Sequence, residues 1–273
     1  MSQFVDTHCH IQSAGGDGGE RTTAGLWAKA PDISASEIIE AANEAGVSRL
    51  ICVGCDVPDS QLAVSFASKQ AHCWASIGIH PHEAKLYVDN DAELAAFAAL
   101  ATDPAVVAVG ECGLDFYYNH SPKSDQEKLL RYQIELALKH DLPIIFHVRE
   151  AFDDFWPIFE SYEGIRGVLH SFTDSLSNME KAIEKGLYIG VNGIATFAKD
   201  PDQLAVYKAI PLANLLLETD APFLAPVPHR GKTNEPKYIP AIATFLSELR
   251  GESVTQIAKS TTNNAKKLFG DLA

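Results

Sequence analysis

Val5-Asp6-Thr7-His8-Cys9-His10 closes the first strand-like stretch of the chain, Gln3–Asp6. Histidines two apart on a strand point to the same side of the sheet. Two imidazoles side by side are half of a typical divalent-metal site. Taken alone, a His-x-His pair is more often an ordinary surface or core pair. Its meaning here comes from other apolar runs that end in the same way. Glu111 follows Ala105–Val109, His147 follows Pro143–Phe146, His170 follows Gly167–Leu169, and Asp220 follows Leu215–Leu217.

Three more apolar runs, Ser48–Val53, Cys73–Ile77 and Leu187–Val191, complete a series of eight. They are apolar on both faces, as parallel strands covered by helices should be. Between them lie segments with helical spacing or capping signals: 34–45, 59–70, 91–100, 125–140, 152–161, 176–185 and 201–210, with 239–249 and 254–268 at the end. Leu129, Leu130, Ile134 and Leu138 show the helical period most clearly. Eight βα units predict an α/β (β/α)8 TIM barrel of the metal-dependent hydrolase type, forming one domain over residues 1–273. The competing open doubly wound sheet calls for a Gly-rich phosphate turn after the first strand, and His8 and His10 stand there instead. A Gly-rich, aperiodic stretch at about 13–33 reads as an insertion loop, in which Trp27 is placed to cover something.

The 273 residues carry a net charge of −14 and contain no long basic run. That excludes broad electrostatic coating of nucleic acid and leaves small, local contacts or contacts through cations. No apolar run approaches the roughly 20 residues of a membrane span. The opening residues, with Asp6 and two histidines, are unlike a secretory signal. The five cysteines have no framework spacing, and Cys52-x-x-Cys55 lacks a second pair to complete a zinc site. These features predict reduced thiols in a cytoplasmic protein with no membrane association and no obligate protein partner.

In a barrel the C-terminal ends of the strands meet at one face, where catalytic groups sit. His8, His10, Glu111, His147, His170 and Asp220 would converge there as metal ligands. Six are too many for a single catalytic zinc and suit two divalent ions, with Glu111 as the bridge. Such a pair clamps the attacking and departing oxygens of a phosphate ester and acidifies a water to hydroxide. Asp220 would serve both as ligand and as general base. Histidine–carboxylate sites accept Mg, Mn or Zn, so the metal's identity stays open.

Seven motifs occur in order: Val-Asp-Thr-His-Cys-His at 5–10, Gly-Ile-His-Pro-His at 78–82, Gly-Glu-Cys-Gly-Leu-Asp-Phe-Tyr at 110–117, Phe-His-Val-Arg at 146–149, Leu-His-Ser-Phe at 169–172, Glu-Thr-Asp-Ala-Pro-Phe-Leu at 218–224 and Arg-Gly-Lys-Thr-Asn-Glu-Pro at 230–236. Along its whole length the sequence resembles the TatD-like metal-dependent deoxyribonucleases of the amidohydrolase superfamily. The resemblance implies a barrel hydrolase that cuts phosphodiester bonds of DNA with two divalent metals held by the same six residues. It also implies a place in DNA repair or degradation. Little basic surface at a narrow mouth favours exonuclease action on single strands or ends. Ile11-Gln12 and the insertion depart from the family's usual continuation, which touches substrate range and not the ligands. Two other classes stay open: a hydrolase of a small cyclic amide, lactone or phosphoester, and a non-catalytic metal-binding scaffold.

Other residues at the expected mouth are candidates for substrate contact. His80 and His82 follow the third strand and could bind phosphate oxygens, His80 also acting on the leaving group. Arg149 could grip a phosphate with two N–H groups. Arg230 and Asn234 lie in the loop after the eighth strand, where a phosphate or nucleotide end is often held.

Overall fold

The computed structural model describes residues 3–15, 22–30 and 33–272. In chain order the strands and helices are β1 (Phe4–Cys9), α1 (Thr22–Trp27), α2 (Ala35–Glu44), β2 (Val47–Val53), α3 (Val57–Ala67), β3 (Cys73–Ile77), α4 (Ala84–Tyr87), α5 (Asp91–Leu100), β4 (Val106–Asp115), α6 (Lys123–Lys139), β5 (Ile144–Arg149), α7 (Phe152–Phe159), β6 (Gly167–Leu169), α8 (Leu176–Glu184), β7 (Tyr188–Val191), α9 (Pro201–Ala209), β8 (Leu215–Leu217), α10 (Ile239–Arg250) and α11 (Val254–Phe269). The strand order is β1 to β8 in sequence. Parallel strands in sequential order, with helices in the connections, are the topology of the (β/α)8 fold.

Contacts divide the chain into two compact units. The first comprises Met1–Cys52, Ser171–Lys267 and Asp271–Ala273. In it β1 pairs with β2 and β7 with β8, all parallel, and Cys9 bridges to Ala221 beyond β8. The second comprises Val53–His170 and Leu268–Gly270. There β3 pairs with β4, β4 with β5 and β5 with β6, again in parallel. Strand side chains such as Leu50, Ile51, Ile77, Val109, Ile145 and Leu216 are buried.

Three expectations from the sequence need correction. The insertion is not all loop: Thr22–Trp27 is helical, while residues 16–21 and 31–32 lie outside the described residues. β1 runs on to Cys9, so His8 lies within the strand. β4 runs to Asp115 and β5 to Arg149, which puts Glu111 and His147 inside strands as well. Gly110 and Gly113 look like turn residues in the sequence, yet both face β5 across a close contact. Gly113 has φ +153°, and a Cβ there would lie 1.8 Å from the carbonyl oxygen of His147. Only a residue without a side chain lets the two strands meet at the level of His147.

Helix α6 fixes the ends of β3 and β4 by an unusual route. Gln126 and Gln133, two turns apart, both lie on its buried face. Gln133 accepts the Ile79 N–H at 2.8 Å and donates to the Ile79 carbonyl at 3.0 Å. Gln126 accepts the Asp115 N–H at 2.8 Å and donates to the carbonyls of Asp115 and Ser121 at 3.2 and 2.8 Å. Each side-chain amide thus pairs with both the N–H and the C=O of one residue, Ile79 or Asp115, as a neighbouring strand would. Gln126→Leu keeps the bulk but strands three buried backbone groups. At about 1 kcal/mol or more for each, the loss of stability in a denaturant titration should be roughly 3 kcal/mol.

Candidate metal centre

In the first unit, β1 and the segment after β8 bring together His8, His10 and Asp220. The Nε2 atoms of His8 and His10 lie 3.3 Å apart. Asp220 Oδ1 is 3.2 Å from the His10 nitrogen and 3.7 Å from that of His8. The histidines are buried, whereas the Asp220 side chain keeps 15% of its surface open. Asp220 has φ +60°, sparsely populated for a residue with a side chain. Its neighbours secure it: the Asp220 N–H donates to the His8 carbonyl and the His10 N–H to the Ala221 carbonyl, each at 2.8 Å.

Asp6, two residues before His8 on the same strand, was not foreseen as a site residue. It is fully buried and accepts N–H groups from His8 at 3.2 Å and Thr219 at 2.9 Å. Its second oxygen accepts the Thr219 hydroxyl. Burial pushes its carboxyl up to about 7, against the pull of these bonds. The signal in the sequence was an aspartate of the same parity as His8 on a buried strand. Trp27, buried, donates its indole N–H to the His10 carbonyl at 3.0 Å, so the insertion does cover something: the backbone of a candidate ligand.

In the second unit, three imidazoles surround one carboxylate oxygen. Glu111 Oε1 is 2.7 Å from His147 Nδ1, 3.6 Å from His80 Nε2 and 3.8 Å from His170 Nε2. His80, Glu111 and His147 form one of the sets among the described residues able to hold a metal ion. The other ring nitrogen of His147 lies 3.0 Å from Asp115 Oδ2, which also meets His82 Nε2 at 2.9 Å. With a carboxylate on each side, His147 must carry both protons to serve both partners. Burial works against that charge, but Asp115 and Glu111 together raise the group to about 9. His80 behaves oppositely: burial and then the neighbouring His147 pull it well below the ordinary histidine value, despite Glu111. Its Nδ1 accepts the His82 N–H at 3.2 Å, so the proton of neutral His80 sits on Nε2.

Imidazole and carboxylate are the donors of divalent-metal sites. Two ring nitrogens and an oxygen within 3.7 Å of one another suit a cation better than one shared proton. The donor chemistry of both units therefore fits a metal.

The remaining candidates lie as follows. Arg149 is exposed, its guanidinium 4.1 Å from the centre of the Tyr117 ring. Arg230 is exposed and lies 3.6 Å over Phe197. Asn234 differs from its expected role. It is fully buried; its amide donates to the carbonyls of Thr219 and Phe223 at 2.8 and 2.5 Å and accepts the Glu235 N–H at 2.9 Å. Both ends of the amide are spent on holding the loop next to Asp220.

The family model described as TatD related DNase matches residues 5–270. The chain belongs to this family. A metal-dependent hydrolase of Bacillus subtilis, named as uncharacterized, is 38% identical to it over 250 residues, 91% of this chain and 97% of the relative. The TatD 3′–5′ ssDNA/RNA exonuclease of Klebsiella pneumoniae is 37% identical over 241 residues, 86% of this chain and 91% of that protein. The crystal structure of YjjV, a TatD homolog of Escherichia coli, covers 98% of each chain with a TM-score of 0.85 at 29% identity. The TatD-family fold is thus the (β/α)8 hydrolase barrel expected from the strand series. Membership makes the chain a metal-dependent hydrolase acting on ester bonds of nucleic acid. No helix among the described residues is long and apolar enough to cross a membrane.

The elevated His147 sets a pH signature for metal-stripped protein. Folding keeps a proton to about 9 that an unfolded histidine releases near 6.5. The stabilisation is therefore complete below about 6.5 and is lost as the pH rises through about 9. In NMR titrations the His147 imidazole should show that high midpoint, and Asp115→Asn should move it toward the ordinary value. An unchanged midpoint in Asp115→Asn would mean that the carboxylate does not hold the proton.

Proposed function

We propose that the chain works as a single barrel domain and is a 3′–5′ exonuclease of single-stranded DNA, with tolerance for RNA. In this reading His8, His10, Glu111, His147, His170 and Asp220 would hold two divalent metal ions. The observation that carries it is the gathering of three imidazoles on Glu111 Oε1, at 2.7–3.8 Å, in a chain of the TatD-related DNase family. Polarity and single-strand preference follow the TatD exonucleases to which the chain is similar. The five free cysteines agree with work in the cytoplasm, in DNA repair or degradation.

When bound, the two ions supply Lewis acidity to a phosphate ester and make a coordinated water acidic enough to attack at neutral pH. The chain's own groups do the rest. Asp220 keeps an open carboxylate edge, with its backbone held against the end of β1, and takes the proton of the attacking water. The water oxygen bonds to phosphorus as the ester P–O bond to the departing sugar oxygen breaks. Neutral His80, its Nδ1 occupied by the His82 N–H, turns an Nε2–H toward Glu111 and offers it as a hydrogen bond to a phosphate or departing oxygen, and the departing oxygen takes its proton from solvent water. His82 holds His80 in that tautomer and is itself held by Asp115. Arg149 and Arg230 are exposed cations for the flanking phosphates. Asn234 acts through the loop beside Asp220.

Metal-stripped protein should leave an end-labelled single strand intact. Added Mg, Mn or Zn should restore stepwise shortening from the 3′ end, and Asp220→Asn should lower kcat by about 10²–10⁴-fold. Full activity without any metal, or undiminished activity in Asp220→Asn, would rule the mechanism out. No cleavage by loaded wild-type protein would turn attention to small phosphoesters or cyclic amides.

A further inference from the structure

Two tyrosines outside the ligand set stand open beside the second group of histidines. Tyr117 and Tyr118 lie two and three residues beyond the end of β4 and are 53% and 51% exposed. Aromatic rings of this size usually bury most of their surface. They are nonetheless held in place. The N–H groups of Tyr117 and Tyr118 both donate to Asp115 Oδ1, at 3.1 and 2.9 Å. The rings meet edge to face with centres 4.8 Å apart. The Arg149 guanidinium lies 4.1 Å from the Tyr117 centre and 4.9 Å from that of Tyr118. His82 meets Tyr118 edge-on at 5.5 Å, and His120 lies parallel to it, 5.7 Å away. The other oxygen of the same Asp115 carries His82 and His147. One carboxylate thus joins an open aromatic surface to two histidines of the second unit.

We infer that Tyr117, Tyr118 and Arg149 form the surface on which unpaired bases next to the scissile phosphate stack. The inference rests on the nuclease reading and extends it to the choice of substrate. A protein of net charge −14 cannot hold a polyanion by broad Coulombic attraction. Stacking on an aromatic face supplies binding that needs little charge and tolerates any base, in DNA or RNA. It also selects single strands, because the faces of paired bases are already covered by their neighbours. Arg149 suits the same surface, since contact with the rings orients the flat guanidinium while its N–H edge remains suited to a phosphate. These residues bind and position the strand; they do not touch the reacting bond.

Wild-type protein should bind a trinucleotide with intact terminal bases more tightly than its abasic counterpart, by roughly 5- to 150-fold per stacked base. This comparison needs no variant, and equal affinities would refute stacking. In loaded enzyme, Tyr117→Ala and Tyr118→Ala should raise KM for the intact strand by about 10-fold or more, with the loss falling on KM and not on kcat. The same substitutions should matter little on the abasic strand, and Tyr→Phe should restore binding because the ring face returns. An independent readout uses metal-stripped protein and a strand ending in 2-aminopurine. Its fluorescence should be quenched on binding to wild type and recover in the Tyr118→Ala complex. Intact quenching and unchanged KM in both alanine variants would overturn the platform and leave the nuclease reading standing. Wild-type protein that neither binds nor shortens single strands would remove both.

Discussion

A buried carboxylate, that of Asp115, is the constraint on which one side of the site depends. Burial alone would drive it toward its neutral form. Two imidazoles and the N–H of Tyr118 outweigh burial and hold it far below the usual carboxylate range. In metal-free protein its charge in turn keeps the proton on His147, which lets that ring span from Asp115 to Glu111. The peptide of Asp115 is itself gripped by Gln126. The order runs from a helix glutamine, through a strand end, to a carboxylate and then to the histidines. Losing Asp115 removes the shared anchor of His82, His147 and the two tyrosines.

Asp6 is the corresponding buried acid of the first unit, with opposite electrostatics. Burial and the nearby Glu218 charge outweigh the hydrogen bonds from Thr219 and His8, so its carboxyl rises to about 7. Its bonds tie Thr219 to the middle of β1, just ahead of the left-handed Asp220. The conformational cost at Asp220 is borne by this packing together with the Asn234 clamp on Thr219 and Phe223. One buried acid therefore fixes backbone, and the other fixes proton positions.

The alternation of strands and helices was legible because each strand is short, apolar and followed by a polar residue; β3, β6 and β8 have the bounds expected from sequence. Boundaries failed where cues conflicted. Gly110 and Gly113 signal a turn, yet at Gly113 the requirement is room for a neighbouring backbone. The helix Thr22–Trp27 was hidden by glycines around it. Ligand candidates could be read because histidine and carboxylate are costly to bury without a purpose. Their supports could not. Gln126, Gln133 and Asn234 act by pairing with backbone far away in sequence, and a glutamine that pairs with a peptide is indistinguishable in sequence from one facing solvent. Asn234 shows the reverse error, since its place in a basic loop suggested substrate while burial commits it to structure.

The glutamine pairs of α6 also bear on how the protein opens. In a sheet, an amide at a strand's end is ordinarily released by fraying against its neighbouring strand. The amides of Ile79 and Asp115 are tied instead to a helix that reaches across from Lys123 to Lys139. Their exchange with solvent deuterons then reports the undocking of α6, not the fraying of an edge, and the two should exchange together at one opening free energy. His80 and the tyrosine pair are each close in sequence to one of these amides, so the same undocking should loosen them too.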